Sequence, residues 1–296
     1  MMRAPGTWVC TVVAALAALP VWAQSAPRVD AVTRGESATD LVRDVVYNET
    51  QDSERTSHWE YRSERVTPDQ RVVREQVETA SGPVFRVIEQ NGTPLDSAQQ
   101  RQEEARLDEY LSDPTAVAAA ARTHNQDQDR ITTAMQLLPA ALVFEYQETP
   151  QGDMARLAFH PNPAFTPNSF EARIVHALSG TVTVDARHKR MIAMEGTVAQ
   201  RVDFGFGFLG HVDQGGTFVI HRRQVGAEHW KTDLVDIHVE GKILLMKTFS
   251  KDQREVRTDF RRVPQNTTLA QAKEMLDQTP SQGAEALLGP ALRGER

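Results

Sequence analysis

The sequence predicts an α+β fold: a curved antiparallel sheet, shaped like a half-barrel, covered by helices, with an N-terminal β-meander and a charged helix before it. Two observations predict it. Alternating apolar and polar residues fill most of stretches 58–90 and 142–263, which is typical of half-buried strands. Helical periodicity marks several segments between and beside them. A sheet of about eight strands with one solvent-exposed face must curl or pack against other elements to bury its apolar face, and we expect these helices to cover that face.

The first residues resemble a secretory signal peptide. Arg3 precedes an apolar run over residues 8–22, and small residues follow at a cleavage position near Ala23. The run is shorter than the roughly 20 residues of a membrane span, although an uncleaved anchor is the alternative. We therefore expect an exported protein, periplasmic or extracellular. Cleavage would remove Cys10, the one cysteine, and with it any thiol chemistry.

The charge of the chain argues against nucleic acid as a partner. The net charge is −7, and it becomes −8 when residues 1–23 are removed, because that segment contains Arg3 and no acid. Such a surface repels phosphate backbones and anionic headgroups, and the sequence has no basic run to offset it.

The chain divides into five predicted parts by composition and pattern. These are a signal peptide (1–23), a flexible leader (24–37), a segment with a helix, a β-meander and further helices (38–140), a curved antiparallel sheet with a terminal helix (141–278), and a mobile tail (279–296).

The segment 38–140 begins with a short amphipathic helix over residues 40–47, since Leu41, Val42, Val45 and Val46 share one helical stripe. Three alternating stretches follow, separated by the turn-forming Pro68-Asp69 and Ser81-Gly82-Pro83. They predict an antiparallel meander.

Helices are predicted after the meander. A charged helix starts at Ser97, whose side chain can cap the first turn. Two more helical stretches, 114–123 and 129–138, are separated by the polar "HNQDQD". The charge density of the first helix is typical of an exposed helix held by its own ion pairs.

The segment 141–278 is predicted as mostly strand. A short helix capped by Ser169 interrupts the strands, and a last helix covers residues 269–276. Turns are predicted at residues 185–189 and at Gly241-Lys242.

The stretch "DFGFGFLGHVDQGG" contains the spacing G-x-G-x-x-G at Gly205, Gly207 and Gly210. A dinucleotide loop needs a helix to begin at the last glycine. Here two glycines and then β-branched and aromatic residues follow Gly210, so we reject a nucleotide site. Glycine instead lets a strand bend and lets a covering element approach closely.

The same stretch predicts an apolar face along one long strand. The alternation leaves the glycines on the opposite face, and the apolar side chains can line either an open ligand cavity or a filled core. The predicted ligand-binding residues are Ile192, Met194, Val198, Val202, Phe204, Phe206 and Phe208.

Motifs for catalysis or metal binding are missing from the sequence. His221, His229, His238 and Asp236 lie on consecutive predicted strands, but their spacing matches no metal-site pattern. Ser169 has no nucleophile motif around it. We therefore predict no catalytic residue, no metal site and no cofactor.

Parts of the chain resemble a known superfamily. "GTVTVDARHKRMIAMEG", "FVIHRRQV", "HWKTDLVDIHVEGKILLMKTF" and "VPQNTTLAQAKEML" resemble the bacterial outer-membrane lipoprotein carriers and sorting proteins, over about half the chain. "NGTPLDSAQQRQEEARLDEYL" is similar to a section found in exported bacterial proteins of unknown role. The resemblance implies an unclosed β-barrel with helices in its mouth, which holds acyl chains or a hydrophobic protein segment without catalysis.

The sequence thus predicts an exported, non-catalytic binding protein for a hydrophobic small molecule or lipid, with a lipoprotein or envelope protein as a further partner. Two alternatives stay open: a structural or interaction module with a fully packed core, and an exported hydrolase that uses His and Asp side chains at strand ends.

Overall fold

The computed structural model describes residues 35–51, 57–147, 152–204, 210–243 and 247–278. Over these residues the chain is an α+β protein with an open, 13-stranded antiparallel sheet and five helices, so the predicted fold class is confirmed. The predicted signal peptide, most of the leader and the tail lie outside this part of the chain. No helix within the described ranges is both long and apolar enough to cross a membrane.

The helices of the described chain are α1 (Ala38–Gln51), α2 (Ser97–Ser112), α3 (Pro114–Ala141), α4 (Phe170–His176) and α5 (Leu269–Gln278). The apolar stripe predicted for α1 is confirmed, because all four of its members are buried.

Two predictions about the helices are wrong in detail. Asp96, not Ser97, caps α2. Its carboxylate accepts hydrogen bonds from the backbone N–H groups of Ala98 and Gln99, and the side-chain oxygen of Gln99 accepts the backbone N–H of Asp96. The two helical stretches predicted after α2 form one helix, α3, which continues through the polar residues 124–129. Polar side chains do not break a helix when they point to solvent.

The strands are β1 (His58–Val66), β2 (Arg71–Val77), β3 (Val84–Gln90), β4 (Thr93–Pro94), β5 (Leu142–Tyr146), β6 (Met154–Pro161), β7 (Leu178–Asp185), β8 (Arg190–Val198), β9 (Val202–Phe204), β10 (Gly210–Val212), β11 (Thr217–Gly226), β12 (His229–Ile243) and β13 (Lys247–Val263). From edge to edge their order is β4-β3-β2-β1-β13-β12-β11-β8-β7-β6-β5, while β10 pairs with β12 and β9.

The predicted meander is β1–β4, and it is part of the same sheet as the later strands. β1 pairs along β13, with His58 opposite Val263 and Val66 opposite Arg254. This pairing joins residues that the sequence-based division assigns to two separate segments.

The turn predicted at Gly241-Lys242 is wrong, because both residues lie inside β12. They pair with Val212 and His211 of β10 on one side and with β13 on the other. Pairing on both sides outweighs the turn tendency of a single glycine. The predicted turn at residues 185–189 is confirmed.

Two apolar clusters pack on opposite faces of the sheet, as the register of paired residues shows. The larger cluster includes Met194, Phe218 and Ile237 and is covered by α1, α4 and the second half of α3. The smaller cluster contains Val77 and Val263 and is covered by α2 and α5.

A buried ion pair attaches α1 to the sheet. The side chains of Glu49 and Arg222 are both fully buried and bonded to each other. Arg222 also donates to the carbonyl oxygen of Trp230 at 2.7 Å, and Glu49 accepts the backbone N–H of Met191 at 3.3 Å. Arg190 Nη1 also lies 3.6 Å from Glu49 Oε2, so the carboxylate has two cationic partners. Nε of Arg222 is the one nitrogen of its guanidinium without a hydrogen-bond partner among the described residues.

Candidate functional site

The single long strand predicted for the ligand-binding face is wrong, because β8 ends at Val198 and β9 begins at Val202. Between them the backbone N–H of Ala199 leaves the sheet pairing and donates to the carbonyl oxygen of Ala177 at 2.7 Å. Met194, Val198 and Val202 are buried in the larger apolar cluster. Ile192 is half-buried, because a bulge in the β7–β8 pairing skips it and turns Met191 inward instead. Whether a ligand contacts any of these side chains stays a prediction.

Phe204 is the last described residue of that face. It is half-buried, packs against the larger cluster and meets Phe170 of α4 edge-to-face, with ring centroids 5.5 Å apart. Phe206 and Phe208 lie outside the described residues. The described side chains of this face therefore pack against other side chains of the protein, both in α4 and in the larger apolar cluster.

Gly210 is the first residue of strand β10, so the helix that a dinucleotide loop requires does not begin there. Gly210 pairs with Phe204 at a φ of +143°. A Cβ at this position would lie 2.2 Å from the carbonyl oxygen of Lys242 and 2.6 Å from the Phe204 ring. This glycine permits a close approach between strand and ring.

The three strand histidines have different surroundings. His221 is exposed, His229 packs edge-on against Trp59 with centroids 5.6 Å apart, and His238 lies between Asp236 and Asp252 at 3.0 and 2.9 Å. Across the part of the chain that the structure describes, no three His, Cys, Asp or Glu side chains are grouped as a metal site needs.

The structure contains a groove of about 460 Å³ between α2, α3 and the turn that joins β2 to β3. We call it the α2–α3 groove. Most of its lining is apolar, and its volume lies in the range typical of small-molecule sites. It is lined by Ser81, Gly82, Pro83, Val84, Phe85, Arg106, Leu107, Tyr110, Ala119, Ala120, Thr123, His124 and Asp127.

Small residues on α3 leave the space that forms this groove. α3 contributes Ala119 and Ala120, whereas α2 contributes Leu107 and Tyr110, one helical turn apart. Leu107 is buried and forms part of the groove's base, and Tyr110 is half-buried. Because an alanine ends at Cβ, the two helices stay apart at this level.

The β2–β3 turn approaches α3 and closes one end of the groove. Gly82 has a φ of +103°, and a Cβ added there would lie 4.0 Å from both the Ala121 Cα and the His124 Cβ. Burial is the main reason that the pKa of His124 is lowered from its usual value, although Glu78 and Asp127 act in the opposite direction. Burial in the groove thus favours the neutral form of His124, and the charged lining residues are Arg106 and Asp127.

Side chains of α2 complete the hydrogen bonding along the outer edge of β3. Glu103 accepts the backbone N–H of Val87 at 2.8 Å, and Arg106 donates to the carbonyl oxygen of Phe85 at 3.0 Å. Glu103 and Arg106 also pair with each other at 2.7 Å. A charged helix thus covers an edge strand that would otherwise offer free backbone groups to another chain.

The groove residues were not predicted as a site from the sequence. One signal was present: Leu107 and Tyr110 are apolar or aromatic positions three residues apart on an otherwise charged helix, which marks the face that packs. The facing alanines carry no comparable signal, since alanine is common in helices of every environment.

No known protein family, curated protein or solved structure matches this chain. The resemblance to lipoprotein carriers therefore stays a prediction.

Proposed function

We propose that the protein is an exported, non-catalytic binding protein that holds a hydrophobic ligand in the α2–α3 groove. The observation that supports this proposal is the apolar groove of about 460 Å³ with a buried base at Val84 and Leu107. Placing a methylene group there removes it from water, which is worth about 0.8 kcal/mol. The signal-peptide-like start of the sequence supports a location outside the cytoplasm.

The groove, rather than the predicted face on β8 and β9, is the place that we propose for the ligand. Met194, Val198 and Val202 already pack against protein side chains, so a ligand would have to displace them. The groove offers apolar surface without such a displacement.

A substitution that fills the groove tests the proposal. Ala120 lines the groove, whereas Ala118 lies on the same helix, is exposed and is not part of the lining. Titration with N-phenyl-1-naphthylamine, an uncharged fluorescent probe, should show saturable binding to the unmodified protein. Ala120→Trp should weaken this binding at least tenfold, and Ala118→Trp should leave it unchanged.

Two results would contradict the proposal: no binding by the unmodified protein, or equal binding by the Ala120→Trp variant. Circular dichroism of both variants checks that the tryptophans have not altered the fold. A protein that binds no probe and yields no organic-soluble material on extraction would favour the interaction-module alternative.

A further inference from the structure

Three arginines surround one carboxylate where β1 pairs with β2 and β13. Residues directly opposite each other in antiparallel strands share a face, and Ser63 of β1 lies opposite both Arg74 of β2 and Arg257 of β13. Two residues further along β1, and on the same face, Arg65 lies opposite Glu255 of β13. We call Arg65, Arg74 and Arg257 the arginine cluster.

Glu255 is the shared partner of the arginine cluster. Arg65 donates to its Oε2 from Nε at 3.0 Å and from Nη2 at 2.7 Å. Arg257 donates to Oε1 from Nε at 2.9 Å, and Arg74 Nη2 lies 3.8 Å from the same oxygen. Three positive charges thus face one negative charge.

The other carboxylates of β1 and β2 do not neutralise this excess. Glu64 and Glu75 lie on the opposite face of the sheet, because they alternate with Ser63 and Arg74 along their strands. Glu64 pairs with Arg71, and Glu75 pairs with Arg86. Glu78, directly after β2, also acts on Arg257, but it pairs with Lys231 at 3.1 Å. The cluster therefore keeps a local excess of positive charge, although the whole chain is negative.

Burial makes this excess costly. The side chains of Arg74 and Arg257 are each 17% exposed, and that of Glu255 is 3% exposed. Burial, and then the charge of Arg65, lowers the pKa of Arg74 below its usual range. Like charges in a half-buried place repel each other more strongly than they would in water.

The cluster adjoins the α2–α3 groove through Phe85. Phe85 lies opposite Gln76, on the same face as Arg74, and it also lines the groove. The guanidinium carbon of Arg74 is 5.0 Å from the centre of the Phe85 ring, and that of Arg106 is 4.8 Å from it. A ligand in contact with Phe85 would therefore have guanidinium groups within reach.

We propose that the arginine cluster is an anion site, and that the ligand of the α2–α3 groove is a single-chain amphiphile with a carboxylate or phosphate headgroup. This inference rests on the proposed function. The headgroup would meet Arg74 and Arg65, while the alkyl chain would pass Phe85 into the groove. Guanidinium groups suit both headgroups, because their planar N–H donors match two oxygens at once.

Access to the cluster is through Arg65, whose side chain is 39% exposed. Within the described residues Arg74 makes one hydrogen bond, from Nε to the Ser63 hydroxyl at 2.9 Å. Its terminal N–H groups are therefore those best placed to bind an oxyanion.

The test compares dodecyl phosphate, dodecanol and inorganic phosphate as ligands of the full protein, at low salt and below micelle concentrations. The unmodified protein should bind dodecyl phosphate at least tenfold more tightly than dodecanol. Arg74→Gln should abolish this preference. Arg71→Gln, on the same strand but paired with Glu64 and Glu89, should keep it. Arg65→Gln, at a more exposed position, serves as a second variant should Arg74→Gln not fold.

The outcomes separate the two proposals. Equal binding of both dodecyl compounds, or a preference that survives Arg74→Gln and Arg65→Gln, would overturn the anion site and leave the groove proposal standing. Binding of inorganic phosphate that depends on Arg74, with no binding of either dodecyl compound, would support the anion site and overturn the groove. Weaker binding of both dodecyl compounds by Ala120→Trp would support a position of the alkyl chain in the groove.

Discussion

The two halves of α3 have different surroundings although they belong to one helix. In the second half, Ile131, Ala134, Met135, Leu138 and Ala141 are buried against the larger apolar cluster. In the first half, residues 114–130, no residue is buried, and the side chains border the α2–α3 groove instead. A helix anchored over half of its length can leave the other half free to border a ligand site.

The same contrast holds across the sheet. Under α1 and the second half of α3 the sheet is mainly apolar, and its buried charges are those of Glu49 and Arg222, with Arg190 close to Glu49. On β1, β2 and the part of β13 that pairs with β1, the same face carries the arginine cluster, Glu255 and Tyr61. Burial raises the pKa of Tyr61 to about 12. One region is thus held mainly by apolar burial, and the other largely by charge pairs.

The largest expected effect comes from breaking the buried ion pair of Glu49 and Arg222. Arg222→Met would leave the buried Glu49 carboxylate with only Arg190, whose Nη1 is 3.6 Å from it, and this should reduce the free energy of unfolding by about 3 kcal/mol. Urea denaturation measures this change. Arg223→Met, at the exposed neighbouring position, is the control and should cost less than about 1 kcal/mol. Similar losses in both variants would show that the pair is not the main attachment of α1.

A pair of truncations on α3 tests the contrast between its halves. Leu138→Ala should lower the free energy of unfolding by about 3 kcal/mol, because it leaves a cavity in the packed cluster. Val117→Ala in the first half should lower it by less than about 1 kcal/mol, since Val117 is only half-buried. Chemical denaturation of both variants gives the comparison, and equal losses would contradict the division.

Acid should affect the meander through Glu255. Burial alone would raise its pKa, but the charges of Arg257, Arg65 and Arg74 outweigh burial and hold the pKa well below its usual value of 4.5. The carboxylate therefore stabilises the fold fully above about pH 4.5, and this contribution is lost as the pH falls further. Glu255→Gln should cost about 2 kcal/mol at pH 7.

The cost of Glu255→Gln should shrink as unfolding is measured at successively lower pH. Glu240→Gln, at an exposed carboxylate on β12, should show neither the cost nor its pH dependence. A constant difference between Glu255→Gln and the unmodified protein down to pH 3 would contradict the role of the carboxylate charge.

The smallest effect is expected at the edge of the meander. Glu103→Ala removes the acceptor for the Val87 N–H group and should cost about 1 kcal/mol. Glu104→Ala, at the next and exposed position of α2, changes helix propensity equally and should cost almost nothing. Thermal unfolding gives the cost, and light scattering should show more self-association only for Glu103→Ala, because its β3 edge is less covered.

Local patterns predict much of the fold. The apolar stripe at Leu41 and Val45 gives α1, Ser169 caps α4, and the turns at residues 68–69 and 81–83 separate the strands of the meander. These features depend on neighbours within a few residues. The end of β12 does not depend on such near neighbours. Gly241 lies in a strand because it pairs with both β10 and β13.

The candidate site depends even more on distant neighbours. Arg74, Arg257 and Glu255 come from strands far apart in the sequence, and a bulge at Asp259, with a φ of +59°, changes the side that later residues face. Arg222 gave a weak signal, because it shares the inward parity of Phe218 and Ile220. Nothing in the sequence tells which carboxylate lies opposite it.

The pairing of β1 with β13 has a consequence for how the chain reaches its native state. His58 and Val263 lie near opposite ends of the described chain, so the meander has an unpaired edge until almost all of the polypeptide is present. Contacts between such distant segments form slowly, because a long loop must close first. During synthesis the meander therefore exposes the backbone groups of β1 for longer than a locally paired hairpin would.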